Sequence, residues 1–230
     1  MSRKRILVNV IFFCALLCLG AVGILLWQDR KYNAVSVLIA FGACIPFYYA
    51  YERREGNVRR MVVLAVMVAL AVAGRFVFAM IPGFKPVTAV VVLTGIYMGP
   101  EAGFLTGSLT AFLSDMLFGQ GPWTPFQMAA WGSLGFIAGL PILRRLLKRR
   151  IPLAIYGFAA GFAYSMIMDI WTVLSYETGF SLQRYGLALM SALPFSFTYA
   201  VSNVIFLMLG IGPIGRKLER IRVKHGIFDD

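Results

Sequence analysis

Three ionisable side chains fall inside strongly apolar segments of this sequence, and they are the first candidates for chemistry. Arg75, Asp115 and Asp169 each lie in a run of hydrophobic residues that predicts a helix. A charge in such a segment is costly in lipid, so it commonly marks a binding site or an ion pair. Two interpretations stay open. The three residues line a polar cavity, or Arg75 pairs with a carboxylate only to hold helices together.

Polar and aromatic residues near these three charges, in the segments and loops expected at the outer side of the bilayer, extend this candidate site. Two stretches rich in Pro and Gly, Ile81–Pro86 and Gly119–Pro125, interrupt the helices and are expected to form ordered loops over a cavity. Many aromatic rings and few net charges favour a broad, mostly neutral ligand over a compact phosphate. The predicted substrate-binding residues are Arg75, Lys85, Asp115, Gln120, Trp123, Gln127, Trp131, Tyr164, Asp169, Trp171, Tyr176 and Tyr199.

Several kinds of chemistry lack their residues. The only histidine, His225, lies near the C-terminus, so Ser-His catalysis and His-metal sites are not expected in the apolar segments. There is no Walker A or dinucleotide-binding fingerprint either, and we expect no metal and no bound cofactor. One enzyme alternative remains, an intramembrane aspartyl protease using Asp115 and Asp169, although neither aspartate has the Gly-x-Gly-Asp context of such enzymes. We therefore predict that the chain is not an enzyme.

The composition identifies the elements that must position these residues. Hydrophobic residues make up 60% of the 230-residue chain and charged residues 14%, whereas soluble domains average about 45–50% and about 25%. Several apolar runs approach the ~20 residues that cross a bilayer. We predict an all-α integral membrane protein with eight spans: Ile6–Leu26, Ala34–Tyr51, Met61–Met80, Val87–Met98, Ala102–Phe118, Pro125–Pro141, Ile151–Tyr176 and Tyr185–Ile211.

The net charge of +12 is explained by membrane topology better than by nucleic-acid binding. Most Lys and Arg residues fall in four clusters before, between or after the apolar spans: Arg3–Arg5, Arg53–Arg60, Arg144–Arg150 and Arg216–Lys224. Basic loops stay on the cytoplasmic side, so all four clusters and both termini are predicted to be cytoplasmic, in a multi-pass plasma membrane protein. Arg75, Asp115 and Asp169 then fall in the outer half of the bilayer.

The chain divides into three predicted regions: an accessory transmembrane hairpin (1–56), a six-helix membrane core (57–215) and a basic cytoplasmic tail (216–230). The fourth span is short, so it either begins before Val87 or packs among its neighbours. Gly99, Gly103, Gly107 and Ala111 predict close helix packing. A second stripe, Ala65, Ala69 and Ala73, either packs within the chain or docks a partner subunit in the membrane.

The core resembles the substrate-binding S components of energy-coupling factor (ECF) transporters. The matching features are Ala65-x-x-x-Ala69-x-x-x-Ala73, Ile81-Pro-Gly-Phe-Lys-Pro86, Gly99-Pro-Glu-Ala-Gly103 and Gly119-Gln-Gly-Pro-Trp-Thr-Pro125. The resemblance implies capture of a small-molecule vitamin at the outer face. It also implies partners: a transmembrane coupling subunit, which meets the alanine stripe, and two cytoplasmic ATPases, which hydrolyse the ATP.

The loops are most similar to those of members associated with cobalamin or related corrinoids, and this favours such a ligand. The added hairpin 1–56 departs from the six-helix pattern of the family. An ion-coupled secondary transporter and a scaffold without transport activity remain as alternatives, although no half-to-half repeat of the kind found in many secondary transporters is evident.

Overall fold

The computed structural model describes residues 58–176 and 180–225, together with Gly42 and Ile45. The predicted hairpin 1–56 and its spans Ile6–Leu26 and Ala34–Tyr51 therefore lie outside the described residues, apart from those two positions. The described chain is all-helical. Its helices are α1 (Val58–Val77), α2 (Val87–Met98), α3 (Pro100–Phe118), α4 (Thr124–Gly139), α5 (Pro141–Leu146), α6 (Arg150–Leu174), α7 (Leu182–Gly210) and α8 (Pro213–His225).

The described helices are compatible with a membrane protein. Three of them, α1, α6 and α7, are long and apolar enough to cross a bilayer, and α2 is a shorter apolar helix. Large apolar side chains on their outer surfaces are exposed, among them Val66 on α1, Ile155 on α6 and Met190 on α7. Such surfaces suit lipid, whose tails are as apolar as the side chains.

Helix α2 lies at the centre of the described bundle. It packs against α1, α3, α4, α6, α7 and α8, and every residue from Val87 to Met98 is buried. A helix that is apolar on all sides is expected in such a position. Of the two explanations for its short length, the structure supports packing among neighbours, since the preceding Ile81–Pro86 segment is a turn and not helix.

Glycines bring α2, α3 and α4 into close contact. A Cβ on Gly103 would lie 2.4 Å from the carbonyl oxygen of Gly135, and one on Gly107 would lie 2.4 Å from the backbone of Trp131. The predicted small-residue face is thus correct for Gly103, Gly107 and Ala111. Gly99 lies just before α3 and not on it: it has φ of +101° and forms the turn between α2 and α3, where its backbone approaches Gly139 of α4.

Other boundaries differ from the predictions by a few residues, for local reasons. Helix α1 ends at Val77 and not at Met80, because the chain turns at residues 78–83, where Gly83 has φ of +75°. The predicted span Pro125–Pro141 ends at Gly139, and Pro141 begins the short helix α5, as expected for proline in a first helical turn.

Basic residues gather at one end of the bundle. Helix α8 docks there through the buried Leu218, while Lys148 forms a salt bridge to Glu219 at 3.2 Å and lies 5.4 Å from the ring centre of Tyr97. The end of the bundle that carries Arg75 and Asp115 is the opposite one, because those residues close α1 and α3 while Tyr97 closes α2, which runs the other way. Charge is thus segregated between the two ends.

Candidate functional site

A buried ion pair lies at the centre of the site. The Nη1 atom of Arg75, in the last turn of α1, is 2.7 Å from Oδ1 of Asp115, near the end of α3. Asp115 is fully buried and Arg75 is 8% exposed. Nη1 also donates to the hydroxyl of Ser114. The structure therefore selects Asp115, and not Asp169, as the carboxylate that pairs with Arg75.

Helix α4 supplies the remaining partners of this carboxylate. The hydroxyl of Thr124 donates to Oδ2 of Asp115 at 2.8 Å. In the amide orientation that satisfies all its neighbours, Gln127 donates to both Asp115 oxygens at 2.9 and 3.0 Å and accepts from the Tyr164 hydroxyl at 2.8 Å. Arg75, Thr124 and Gln127 thus saturate the Asp115 carboxylate, as a buried charge requires.

Aromatic rings enclose the ion pair. Trp131 on α4 stacks on Tyr164 of α6 with ring centres 5.1 Å apart, and Tyr199 of α7 meets Tyr164 edge-on at 5.1 Å. The guanidinium carbon of Arg75 lies 5.2 Å from the Trp131 ring and 4.9 Å from that of Phe118. Rings on α3, α4, α6 and α7 thus surround the ion pair. The cation–π contacts of Arg75 with Trp131 and Phe118 help to stabilise it there.

Lys85 lies close to this cluster. Its backbone N–H donates to the hydroxyl of Ser202 on α7 at 2.9 Å, and the same hydroxyl donates back to the Lys85 carbonyl at 3.2 Å. Burial lowers the pKa of Lys85 below its usual 10.5; the positive charge of Arg75 lowers it further, while Asp115 opposes the shift. A Cβ on Gly74 would lie 2.4 Å from the ring of Pro86, so the residues next to Arg75 and Lys85 are in contact. The turn before α2 thus brings a second cation near the ion pair.

The site consequently contains seven of the twelve predicted residues: Arg75, Lys85, Asp115, Gln127, Trp131, Tyr164 and Tyr199. The other five lie outside this buried cluster. Gln120 donates to the carbonyl of Phe112 at 2.8 Å and closes the end of α3, while Trp123 and Tyr176 are exposed on the surface. Because their side chains are not part of the buried cluster, their role in substrate binding stays a prediction.

Asp169 and Trp171 occupy the periphery of the site. Trp171 packs on Phe126 at 5.5 Å, one residue before Gln127. Asp169 is buried, and its Oδ2 atom has no hydrogen-bond partner among the described residues. Asp169 makes no contact with Asp115. The carboxylate of Asp115 is instead bonded to Arg75 and Thr124.

Three contributors to the site were not predicted: Ser114, Phe118 and Thr124. Ser114 and Phe118 lie on α3 next to Asp115 and one turn beyond it, and Thr124 begins α4. Helical spacing from Asp115 would have indicated Phe118. Ser114 and Thr124 carried no signal, because hydroxyl groups in apolar helices usually bond to their own backbone.

Residues 55–215 match the model of the family described as "Family of unknown function (DUF6580)". The chain belongs to this family. It is also similar to a UPF0397 protein of Aliivibrio salmonicida (strain LFI1238), with 30% identity over 155 residues, covering 65% of this chain and 80% of that protein. A UPF0397 protein of Vibrio atlanticus (strain LGP32) is 28% identical over 130 residues, covering 49% and 71% of the two chains. No solved structure matches the chain.

The DUF6580 region contains every residue of the site, and it also contains an open apolar groove. The groove has a volume of about 760 Å³ and lies between α1 and α3. Ala65, Ala69 and Ala73 line it and are exposed, so they do not pack against other described helices. Its other lining residues are Met61, Leu64, Val68, Val72, Phe76, Leu109, Leu113 and Leu117.

Proposed function

We propose that the chain is the substrate-capture subunit of an ATP-driven micronutrient uptake transporter of the ECF type. In this proposal it spans the plasma membrane eight times with both termini in the cytoplasm and binds its ligand at the outer face. It then works with a transmembrane coupling subunit and two cytoplasmic ATPases. The ATPases hydrolyse the ATP, and the proposal assigns no cofactor to the chain itself.

The observation that carries this proposal is the buried cluster of Arg75 and Asp115, enclosed by Trp131 and Tyr164, at the end of the bundle opposite the basic cluster. Buried polar groups amid aromatic side chains, in an otherwise apolar helix bundle, suit selective recognition of a small molecule. The open alanine groove on α1 supports the proposed contact with a transmembrane coupling subunit, since close approach of another helix needs small side chains.

The decisive experiment is purification of the native complex in mild detergent, followed by identification of co-purifying proteins and small molecules. We expect a membrane subunit, ATPase subunits and a bound micronutrient. Recovery of the chain alone, together with ATP-independent uptake by the chain, would contradict the proposal.

The sequence favours cobalamin or a related corrinoid as the ligand, and this substrate is the first to test. Corrinoids are coloured, so the purified chain should carry visible absorbance through a sizing column after incubation with cobalamin or with one of the related corrinoids, including corrinoid acids. A colourless protein that binds a smaller vitamin such as thiamine or pantothenate would overturn the corrinoid proposal and leave the transporter class intact.

An ion-coupled secondary transporter is the second candidate, and one observation favours it. Asp169 is a buried carboxylate at membrane depth, and the described residues give its Oδ2 atom no donor. Such a group suits a proton or cation that moves with the substrate. If collapse of the proton gradient or Asp169→Asn stops uptake while ATPase subunits are dispensable, this candidate replaces the first.

The geometry gives no support to the aspartyl protease alternative. A catalytic dyad requires two carboxylates close enough to share a proton. Asp115 instead contacts a guanidinium, a hydroxyl and an amide.

A further inference from the structure

The guanidinium of Arg75 retains donors that no described residue uses. With the Gln127 amide oriented as above, its hydrogen bonds go to Ser114 and Asp115 and are made by Nη1; in the other amide orientation Nη1 also lies 3.5 Å from Gln127 Oε1. Its Nε atom is buried without a partner among the described residues. About 10% of the side chain remains exposed. A buried donor without a partner is costly, and native proteins retain few of them. The remaining edge of the guanidinium is therefore suited to an acceptor that arrives from outside.

Lys85 provides a second cation without a counter-ion. Among the described residues, none forms a salt bridge or hydrogen bond with its ammonium group. Its neighbour Pro86 contacts Gly74, the residue before Arg75, since a Cβ on Gly74 would lie 2.4 Å from the proline ring. Ser202 holds the Lys85 backbone at both its N–H and its carbonyl. The lysine is thus attached to the bundle and half-buried instead of lying on a free loop.

The charges of this cluster do not cancel. Arg75 and Lys85 contribute two positive charges, whereas Asp115 contributes one negative charge and already accepts from Arg75, Thr124 and Gln127. One positive charge is left partly buried beside aromatic rings. Burial of an uncompensated charge disfavours the folded protein, and a bound anion would offset that cost.

We propose that the ligand of this site carries a carboxylate, which binds between the Arg75 guanidinium and the Lys85 ammonium. This inference rests on the proposed capture function and gives its ligand a chemical class. A single excess charge matches a monoanion, and the planar edge of a guanidinium matches the two oxygens of a carboxylate. A phosphate dianion would require more positive charge than Arg75 and Lys85 provide, because Arg75 is already paired with Asp115. Among corrinoids, the proposal selects those with a free side-chain carboxylate.

The test compares pairs of probes that differ only at this group, using the purified full-length chain in detergent. Suitable pairs are benzoate and benzamide, nicotinate and nicotinamide, pantothenate and pantothenol, and a corrinoid acid and its amide. Calorimetry or thermal shift measures the affinity for each. In at least one pair the acid should bind about ten-fold more tightly or better, as expected of charge-assisted hydrogen bonds.

Two variants and a control locate the effect. Lys85→Met should abolish most of the preference for the acid, and Arg75→Lys should reduce it while keeping the ion pair with Asp115 possible. Lys148→Met removes an equal charge at the opposite end of the bundle and should leave the preference unchanged.

Equal or weaker binding of the acid in every pair, including absence of binding, overturns the inference, and so does a preference that survives Lys85→Met. This outcome differs from failure of the capture function. A neutral corrinoid that binds tightly contradicts only the carboxylate, whereas acid-selective binding without any co-purifying transporter subunit contradicts only the ECF assembly.

Discussion

At the scale of single residues, the site is an ion pair that the fold has buried almost completely. Arg75 and Asp115 are joined at 2.7 Å, with hydroxyl and amide donors completing the carboxylate. Replacing a buried pair by apolar residues is often harmless, whereas removing one partner is not. This asymmetry distinguishes Asp115, which pairs with Arg75, from the other carboxylate, Asp169.

Arg75→Ala should destabilise the chain by roughly 3–5 kcal/mol, because the Asp115 carboxylate would be left buried without its counter-ion. Adding Asp115→Asn should recover a large part of that loss. Adding Asp169→Asn is the matched control and should not, because Asp169 makes no contact with Arg75. Detergent unfolding of the wild type, the three single variants and the two double variants measures the coupling, and additive losses in the Asp115 double mutant would contradict the pairing.

Lys85→Met should raise the stability of the ligand-free chain at pH 7. The pKa of Lys85 is lowered by burial and by Arg75, so the protonated lysine disfavours the folded state. That penalty is fully present below the lowered pKa and disappears as the pH rises past 10.5, the value of an unburied lysine. Melting temperatures at pH 7 and near pH 10.5 should show the gain at the first pH only. A loss of stability at pH 7 would contradict this reading.

At the scale of elements, the two small-residue surfaces differ in what they contact. The glycines of α3 and α4 meet inside the bundle, whereas the alanines of α1 line an open groove. Both surfaces have the same spacing in the sequence. The difference between packing and docking is therefore testable with bulky substitutions on each.

Gly103→Ala should destabilise the bundle by about 1–3 kcal/mol, since the added methyl group would lie 2.4 Å from the Gly135 carbonyl oxygen. Gly186→Ala on α7 is the control. Nothing lies within 4 Å of its Cβ, so the change should stabilise that helix by about 0.5–1 kcal/mol. Thermal unfolding in detergent measures both, and a neutral Gly103→Ala would mean that α3 and α4 can separate.

Ala69→Trp should abolish uptake while leaving ligand binding by the isolated chain intact, because the side chain would fill the groove and not the site. Val66→Trp, on the exposed surface of the same helix but outside the groove, should preserve both activities. Transport assays in cells and binding assays on the purified protein are compared. Loss of binding together with transport would show that the stripe packs the chain's own core.

At the scale of the whole molecule, the two ends of the bundle differ in charge and in chemistry. Basic residues of α5, α6 and α8 gather at one end, and the ion pair with its aromatic rings lies towards the other. The proposed orientation puts the basic end in the cytoplasm.

Labelling with a membrane-impermeant maleimide tests this orientation, using a background in which the three native cysteines are replaced. A cysteine at Gln120, in the exposed loop between α3 and α4, should react in intact cells. A cysteine at Gly212, between α7 and α8, should react only after the cells are opened. The reverse pattern would place the site on the cytoplasmic side and contradict capture from outside.

Much of the helical framework follows from the sequence alone. Runs of apolar residues predicted six core helices within a few residues of their observed bounds, and turn residues such as Pro122 and Gly83 marked where they end. Those properties are local: a long apolar run has few ways to satisfy its backbone except as a helix. The residue types of the site, an arginine and carboxylates among aromatic rings, were evident in the same way.

Only the tertiary structure decided which of those residues meet. In the sequence Asp115 and Asp169 were equivalent partners for Arg75, and Gln120 and Gln127 were equivalent polar neighbours. The packing of α1, α3 and α4 brings Asp115 and Gln127 to the arginine and leaves Asp169 without a described partner at its Oδ2. Likewise, the alanine stripe of α1 faces outwards and the glycines of α3 face inwards. Spacing fixes the face of a helix on which a residue lies, but the rotation of that face towards a neighbour depends on contacts between residues far apart in the chain.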